Sequence, residues 1–307
     1  MDSWGQHGLE NLNSCFRRIK RLRSQLLQKK DSETLHQLRV NLRRVRSWVD
    51  QGAAALDLPR CLGADRVARQ GRPLGRARDL DVIYDQLNLV LLPQLPSQEQ
   101  AQLKPLLEQL GGQRRQMGRL VNSHLLSSGH RQWLLRCGHW LEAPQLTPLG
   151  KRPLLELLPD LQLRSLGGLL MQLGWQVDDP ARGAQSLHEL RKKIKAVRYQ
   201  AEGYGDFYGV NYSSWVDELK RLQEVLGNLQ DLAVLRKLLG KKLTKQLPAL
   251  EAKLQAFQAE NWATWLGLRG RYHTDSSRQE LRLMVIQIQS VPTAPETQPH
   301  HSPYFPR

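Results

Sequence analysis

The 307-residue chain contains only three cysteines, few aromatic residues and no long apolar run. Cys15, Cys61 and Cys137 are too few and too far apart to build a disulfide framework or a metal-ligand motif, and they are typical of a reducing compartment. No stretch is apolar enough for a transmembrane helix, and the first residues lack the charged and apolar segments of a secretory signal. We therefore expect a cytoplasmic protein without a membrane span.

Acidic residues are scarce relative to basic ones. The chain has 45 lysines and arginines against 29 aspartates and glutamates, which gives a net charge of +16 with neutral histidines. Such an excess does not determine a fold, but it favours an anionic partner. Nucleic acid, an anionic membrane surface and phosphate chains are the candidates.

Strand patterns are missing as well. Apolar residues recur at intervals of three and four with few alternating stretches, which predicts an all-α fold. Glycine and proline clusters divide the pattern into helices of moderate length. The predicted helices cover residues 9–29, 32–51, 62–71, 76–91, 98–127, 130–142, 151–177, 184–205, 212–226, 229–244, 248–268 and 276–289.

One short helical block occurs twice in the chain. The sequence LHQLR, which contains His36 and Arg39, returns as LHELR with His188 and Arg191. The two histidines are 152 residues apart (188 − 36), and so are the two arginines (191 − 39). The second block therefore repeats the residue types of the first at a fixed distance.

A glycine-aspartate block repeats with the same offset, since Gly75 and Asp79 return as Gly227 and Asp231. Two separate blocks that share one offset indicate a tandem duplication. The predicted organisation is an N-terminal extension (1–8), a domain (9–290) made of a first helical repeat (9–142), a connection (143–150) and a second helical repeat (151–290), and a proline-rich tail (291–307). We expect the tail to be disordered because it has little apolar content.

The first copy of the repeat places basic residues along one side of a helix. At about 100° per residue, His36, Arg39, Arg43 and Arg46 share a face beside an apolar stripe. No acid occurs between His36 and Arg46, whereas ordinary surface helices mix both signs. The second copy presents His188, Arg191, Lys195 and Arg198 in the same way.

A solvated helix face is the simpler interpretation of one copy, but the repetition favours a ligand site. Asp50 follows Arg46 by four residues, and Glu202 follows Arg198 by four, so each acid is predicted to hold an arginine structurally. The residues without such a neighbour are predicted to contact an anionic ligand: His36, Arg39, Arg43, His188, Arg191 and Lys195.

The glycine-aspartate block is predicted to have a structural role. Gly75 and Gly227 allow a close approach of two helices or a bend. Asp79 and Asp231 either cap the following helix or orient an arginine of the basic face. These alternatives stay open at the level of the sequence.

Arginine and lysine suit a phosphate ligand, because the guanidinium fork matches phosphate oxygens and the lysine ammonium is a compact charge. No nucleophile or carboxylate cluster accompanies either histidine, so we predict no catalytic residue, no metal ligand and no cofactor. Further basic residues are predicted to extend the binding surface: Arg17, Lys20, Arg21, Arg44, Arg69, Arg72, Arg76, Lys192 and Arg221.

These motifs resemble the conserved histidine α-helical domain (CHAD) family over residues 9–268. The matching residues are His36, Arg39, Arg43, Arg44 and Arg46 with Leu74, Gly75, Arg78 and Asp79, and then His188, Arg191, Lys192, Lys195, Arg198, Tyr199 and Glu202 with Leu226, Gly227, Gln230 and Asp231. The resemblance implies two antiparallel four-helix bundles related by a pseudo-twofold axis, with a basic surface or pore at their junction. It also implies that the motif histidines, arginines and lysines bind inorganic polyphosphate.

Two positions depart from the symmetry of the motif. Gln230 stands where the first copy has Arg78, and Ala196 stands where it has Arg44. The second half therefore has fewer cations, and we expect it to bind more weakly.

The predicted function is the non-enzymatic binding of long-chain inorganic polyphosphate, with targeting to polyphosphate granules. Nucleic-acid binding is the alternative, and non-specific contact with nucleic acid is expected from the charge alone. Only 6% of the residues are aromatic, which limits base stacking. Trp133, Trp140, Trp262 and Trp265 lie on amphipathic helices and are predicted to be core residues.

A polyphosphate-processing enzyme is the third hypothesis. Such an enzyme needs carboxylates that hold a metal near the basic face. Asp79, Asp81 and Asp231 are the suggestive acids in the sequence, and a structural role is favoured for the repeated pair. We therefore expect the chain not to be an enzyme.

Overall fold

The computed structural model describes residues 3–29, 31–240 and 246–289, and the predicted tail lies outside this part of the chain. The chain is 84% helical without strands in the described ranges, which confirms the all-α prediction. The α-helices of these ranges are α1 (Trp4–Gln28), α2 (Ser32–Gly52), α3 (Ala64–Asp85), α4 (Ser97–Leu126), α5 (Ser128–Glu142), α6 (Leu154–Leu170), α7 (Ala184–Glu202), α8 (Val210–Leu239), α9 (Pro248–Arg269) and α10 (Asp275–Ile286). None of these helices has both the length and the apolar character that a bilayer span requires.

Helix α1 begins at Trp4, earlier than the predicted start at residue 9. Ser3 caps this helix, because its Oγ accepts a hydrogen bond from the Gln6 backbone N–H at 3.2 Å. The Gln6 side chain accepts in return from the Ser3 backbone N–H at 3.0 Å, which completes a capping box. Trp4 is buried, so the first turn is part of the core.

The helix breaks predicted around Gly75 and Gly227 are wrong. Helix α3 continues through Pro73 and Gly75, and α8 continues through Gly227. Buried apolar neighbours on both helices stabilise these turns, even though proline lacks the N–H that a helix interior uses. Asp79 and Asp231 therefore lie in helix interiors, so of the two alternatives for these residues, the capping of a following helix is wrong.

One further boundary differs from the prediction. The single helix predicted over 151–177 is divided into α6 and a short 3₁₀ segment at Leu173–Gln176. The indole of Trp175 in this segment is buried and donates its Nε1–H to the Leu169 carbonyl at 2.8 Å. This contact folds the chain back at the end of α6.

Consecutive helices pack side by side in two groups, α1 to α4 and α6 to α9. The groups contact each other directly through α2 and α7. Helix α2 begins at residue 32 and α7 at residue 184, so their starts differ by the offset of the sequence repeat (184 − 32 = 152). This pair of helices thus follows the same offset, while the duplication itself stays a prediction.

Two separate apolar clusters hold the groups together. The larger one includes buried residues from both groups and from α5 and α10. The smaller one joins the ends of α3 and α4 to the ends of α8 and α9 through Leu87, Leu91, Leu95, Leu103, Leu107, Leu110, Leu232, Leu235, Leu239, Leu247, Leu250 and Leu254. Along α3 and α8, Asp79 and Asp231 occur where the chain passes from one cluster to the other.

A buried carboxylate connects α4 to α9 across the two groups. Glu99 is only 5% exposed and accepts hydrogen bonds from the backbone N–H groups of Ala249 at 2.8 Å and Leu250 at 2.9 Å. These N–H groups belong to the first turn of α9, where they have no partner within the helix. A negative charge is favourable at this end of a helix.

We predict that Glu99→Gln lowers the free energy of unfolding by about 2 kcal/mol, because one charged acceptor of two backbone N–H groups is lost. Urea denaturation measures the change. Glu108→Gln is the matched control, since Glu108 lies on the same helix and is exposed, and we expect it to stay within about 0.5 kcal/mol of the unsubstituted chain. Equal stability of the two variants would contradict the capping role.

Candidate functional site

The two basic helices α2 and α7 cross where the two groups meet. Ser47 Oγ donates a hydrogen bond to the Ala196 carbonyl at 3.5 Å. Trp48 packs against Gly203, where any side chain on residue 203 would collide with the indole ring. This crossing brings the middle parts of both predicted basic faces close together, so that the charge of Arg43 acts on Arg191 and Lys195.

Glu202 binds an arginine from each of the two helices. Its Oε2 lies 3.1 Å from Nη2 of Arg44, and its other oxygen pairs with Arg198, as the sequence spacing predicted. Arg198 also donates its Nε–H to Gln223 Oε1 at 3.1 Å and lies over the Tyr199 ring at 4.5 Å. Arg44 and Arg198 thus have partners that fix them in the crossing.

The group of side chains beyond the crossing, which we call the junction cluster, contains four basic side chains and two carboxylates: Arg39 and Arg43 on α2, Arg191 and Lys195 on α7, Asp79 on α3 and Asp231 on α8. Arg39 Nη2 lies 3.1 Å from Asp79 Oδ1. The charges of Arg39, Arg43 and Arg191 all act on Lys195. Both helices therefore contribute to a single electrostatic environment with more positive than negative groups.

Lys195 is the group most affected by this environment. Its pKa falls from 10.5 to about 6, chiefly because of burial and further because of the neighbouring Arg191 and Arg43. Asp231 acts in the opposite direction without restoring the ordinary value. Without an anion, the lysine is therefore mainly neutral above pH 7, and a bound anion would favour its charged form.

Burial also changes the pKa values of three other members of the cluster, Arg39, Arg191 and Asp231. Burial lowers the pKa of Arg39 and of Arg191, although arginine stays charged. Burial also raises the pKa of Asp231, with Arg191 opposing the rise. Half-buried charges are unfavourable unless they are paired, and the cations outnumber the carboxylates. The cluster is suited to accept an anion.

Each repeated glycine lies against an arginine of the basic face, but only at Gly227 would a side chain be too close to that arginine. A Cβ at Gly75 would lie 3.8 Å from Arg39 Nε, and a Cβ at Gly227 would lie 2.9 Å from Arg191 Nη2. Asp79 orients Arg39 through their ion pair, which confirms that alternative for the first copy. The repeated block therefore positions guanidinium groups.

Arg78 and Gln230, which we did not predict as site residues, occupy equivalent positions on α3 and α8. Burial lowers the pKa of His36, and the charge of Arg78 lowers it further, so this imidazole is neutral at pH 7. Gln230 Oε1 instead accepts a hydrogen bond from Arg191 Nη1 at 3.1 Å. Both residues directly precede the repeated aspartate in the sequence, and this position could have identified them as site residues.

Arg191 keeps one N–H group without a partner in the described part of the chain. Its Nε atom is buried, and no protein acceptor satisfies it there. A buried donor without an acceptor costs free energy. An oxygen atom of an anionic ligand would satisfy this donor.

The flanking basic residues lie on the outer surface. Arg69, Arg72 and Arg76 are exposed along α3, at intervals of three and four that place them on the side of Asp79. Arg221 is exposed on α8. These four arginines belong to the two helices that also carry the junction aspartates.

Other predicted site residues are not brought into the junction cluster. Lys192 is exposed and pairs with Glu189 at 2.7 Å, while Arg46 pairs with Asp50 at 3.9 Å. His188 is half-buried on α7. The three basic residues predicted on α1 are exposed, and Lys20 among them lies beside Gly138 of α5: Arg17, Lys20 and Arg21.

Comparisons with known proteins point to one family. The CHAD domain model matches residues 10–240. This chain is similar to the crystal structure of the CHAD domain from the plant Ricinus communis, with a TM-score of 0.60 and 23% sequence identity. The similarity covers 94% of this chain and 95% of that structure. The chain is also similar to PptA from Streptomyces chartreusis, with a TM-score of 0.62 and 16% sequence identity, and this similarity covers 87% of this chain and 99% of PptA. At these identities the structural likeness shows the fold alone. No curated protein matches the chain.

We predict that Gly75→Ala and Gly227→Ala differ in stability. Alanine is favoured over glycine inside a helix, so Gly75→Ala should raise the free energy of unfolding by about 1 kcal/mol. The methyl group at 227 would displace the Arg191 guanidinium, because it would lie 2.9 Å from Nη2. We expect the gain there to be smaller or reversed in urea denaturation. An equal gain in stability at both positions would contradict the close contact between Gly227 and Arg191.

Proposed function

The chain belongs to the CHAD domain family, and we propose that it binds long-chain inorganic polyphosphate at the junction cluster without catalysing a reaction on it. One observation carries the proposal. Four basic side chains from α2 and α7 share a half-buried site with only two carboxylates. Phosphate oxygens match the hydrogen-bonding geometry of the guanidinium groups, and their charge offsets the excess of cations.

A polymer fits this surface better than a single phosphate. Beyond the cluster, Arg69, Arg72 and Arg76 continue the positive charge along α3, and Arg221 does so on α8. A long chain contacts the cluster and the flanking arginines at once, so each further contact is intramolecular. We therefore propose that the affinity rises with the length of the chain.

The carboxylates that the enzymatic hypothesis requires are engaged with arginines. Asp79 pairs with Arg39, and Asp81 lies 2.8 Å from Arg114. Asp231 faces the charge of Arg191. Within the described ranges, no group of three or more His, Cys, Asp or Glu side chains is arranged to hold a metal ion. These pairings favour binding over processing as the proposed function.

We predict that Arg43→Gln/Lys195→Gln weakens the binding of long polyphosphate by about a hundredfold, since two charge-assisted contacts are lost. The matched control is Arg46→Gln/Lys192→Gln, which removes the same residue types from the same helices but outside the junction cluster. Calorimetric titration with size-defined polyphosphate at physiological salt measures both. Pyrophosphate should bind far more weakly than long chains.

Three outcomes would contradict parts of the proposal. Equal losses in the two double variants would mean that diffuse charge binds the polymer. Equal affinity for pyrophosphate and long chains would exclude multivalent contact. Displacement of polyphosphate by an excess of duplex DNA would favour the nucleic-acid alternative.

In cells, the same binding would place the protein on polyphosphate granules, and imaging of the Arg43→Gln/Lys195→Gln variant should show it dispersed.

We predict that the affinity for polyphosphate increases as the pH falls from 8 to 6. The pKa of Lys195 is about 6 in the free protein, and bound phosphate raises it, so binding takes up a proton above pH 6. For one proton the affinity changes by up to about tenfold per pH unit and levels off below pH 6. Calorimetry in two buffers of different ionisation enthalpy measures the proton uptake. Lys195→Gln should reduce this uptake, whereas Lys192→Gln should leave it unchanged.

A further inference from the structure

A cavity of about 880 Å³ lies between α5 on one side and the start of α3 with the segment before it on the other. Its volume is within the range of small-molecule sites. Three arginines, one histidine and two tryptophans line it, and no residue of the junction cluster does: Arg60, Arg66, Arg136, His139, Trp133 and Trp140. The cavity is therefore separate from the site proposed for polyphosphate, and a ligand could occupy it whether or not the junction cluster binds a polymer.

The charge of this cavity is entirely positive. Arg60, Arg66 and Arg136 are exposed, and within the described residues no carboxylate pairs with any of them. The lining contains no aspartate or glutamate. His139 reaches Glu142 at 3.6 Å, at the surface. Three guanidinium groups are thus available to a ligand with several anionic oxygens.

The tryptophans of the cavity are held in fixed orientations. Trp133 donates its Nε1–H to the Cys61 carbonyl at 2.9 Å, and Trp140 donates to the Asp57 carbonyl at 3.1 Å. Trp133 is buried against Phe16, with ring centroids 5.6 Å apart. Trp140 is only partly buried, and no other ring stacks on it in the part of the chain that the structure describes. The prediction that Trp140 is a core residue is therefore only partly right.

Two polar side chains and one aromatic side chain share one face of α5. Gln132, Arg136 and Trp140 follow each other at intervals of four residues, so they share the face that lines the cavity. Inorganic polyphosphate has no apolar surface and gains nothing from an indole ring. A ligand that uses all three side chains has a planar aromatic part, a hydrogen-bonding edge and phosphate groups.

We propose that this cavity is a nucleotide-binding site. The base stacks on Trp140, the Gln132 amide bonds to the edge of the base, and the phosphates contact Arg60, Arg66 and Arg136. Base stacking on an aromatic side chain and contact with arginine are both favourable and tolerant of the base. The site therefore accepts nucleoside triphosphates with little discrimination between bases.

The test is a calorimetric titration of the full chain with ATP and with inorganic tripolyphosphate. Trp140→Leu should weaken ATP binding by about tenfold and leave tripolyphosphate binding within about twofold, because only ATP has a base to stack. Trp262→Leu is the matched control, since Trp262 is also partly buried but lies on α9, and it should change neither affinity. Arg136→Gln should weaken both ligands, and Arg131→Gln, exposed on the same helix outside the cavity, should weaken them much less.

Several outcomes would overturn the nucleotide site. These are unchanged ATP binding in Trp140→Leu, an equal loss for both ligands in that variant, or equal effects of the two arginine substitutions. If Trp140→Leu fails to fold, photocrosslinking of the unsubstituted chain with 8-azido-ATP replaces it. Mass spectrometry should then find the adduct in one of the two walls of the cavity, residues 59–70 or 129–143, and adducts found only elsewhere would overturn the site. The Arg43→Gln/Lys195→Gln variant should retain ATP binding, so failure of the polyphosphate proposal is distinguishable from failure of this one.

Discussion

The direct contact between α2 and α7 is the constraint on which the site depends, because it brings like charges together. Both helices carry cations on the side that faces the crossing, and burial leaves Lys195 with a pKa of about 6. Glu202 compensates part of the charge by binding Arg44 and Arg198. Asp79 compensates another part through its ion pair with Arg39. The remaining positive charge is the feature that an anionic ligand would neutralise.

The two apolar clusters keep these charges in place. One cluster packs the helices near the crossing, and the other joins α3 and α4 to α8 and α9 at their ends. Glu99 adds a hydrogen-bonded link between α4 and α9 in the same region. Since α3 and α8 each pack into both apolar clusters, Asp79 and Asp231 are held in position beside the arginines. The cations are therefore preorganised, and a ligand does not have to order them.

The helical period and the repeat were sufficient to predict the all-α fold and the basic faces of α2 and α7. They were not sufficient to predict continuous helices through Gly75 and Gly227, because the glycines suggested breaks and the packing that overrides them is tertiary. Arg44 was assigned to the ligand, yet its partner Glu202 is 158 residues away in sequence. The burial of Lys195 likewise depends on the contact between α2 and α7, and the pattern of residues along one helix does not predict which helix packs against it.

The two halves are not equivalent at the crossing, and one substitution explains much of the difference. By the 152-residue offset, Asp50 corresponds to Glu202 and Ala196 corresponds to Arg44. Glu202 binds arginines from both helices. Asp50 pairs with Arg46 at 3.9 Å, and it has no arginine partner on α7 because residue 196 is alanine. A symmetric chain would have two ion pairs between the halves. This chain has one of these two ion pairs, Arg44 with Glu202, so the charges on the two sides of the crossing differ. A polyanion bound there would therefore meet two different halves.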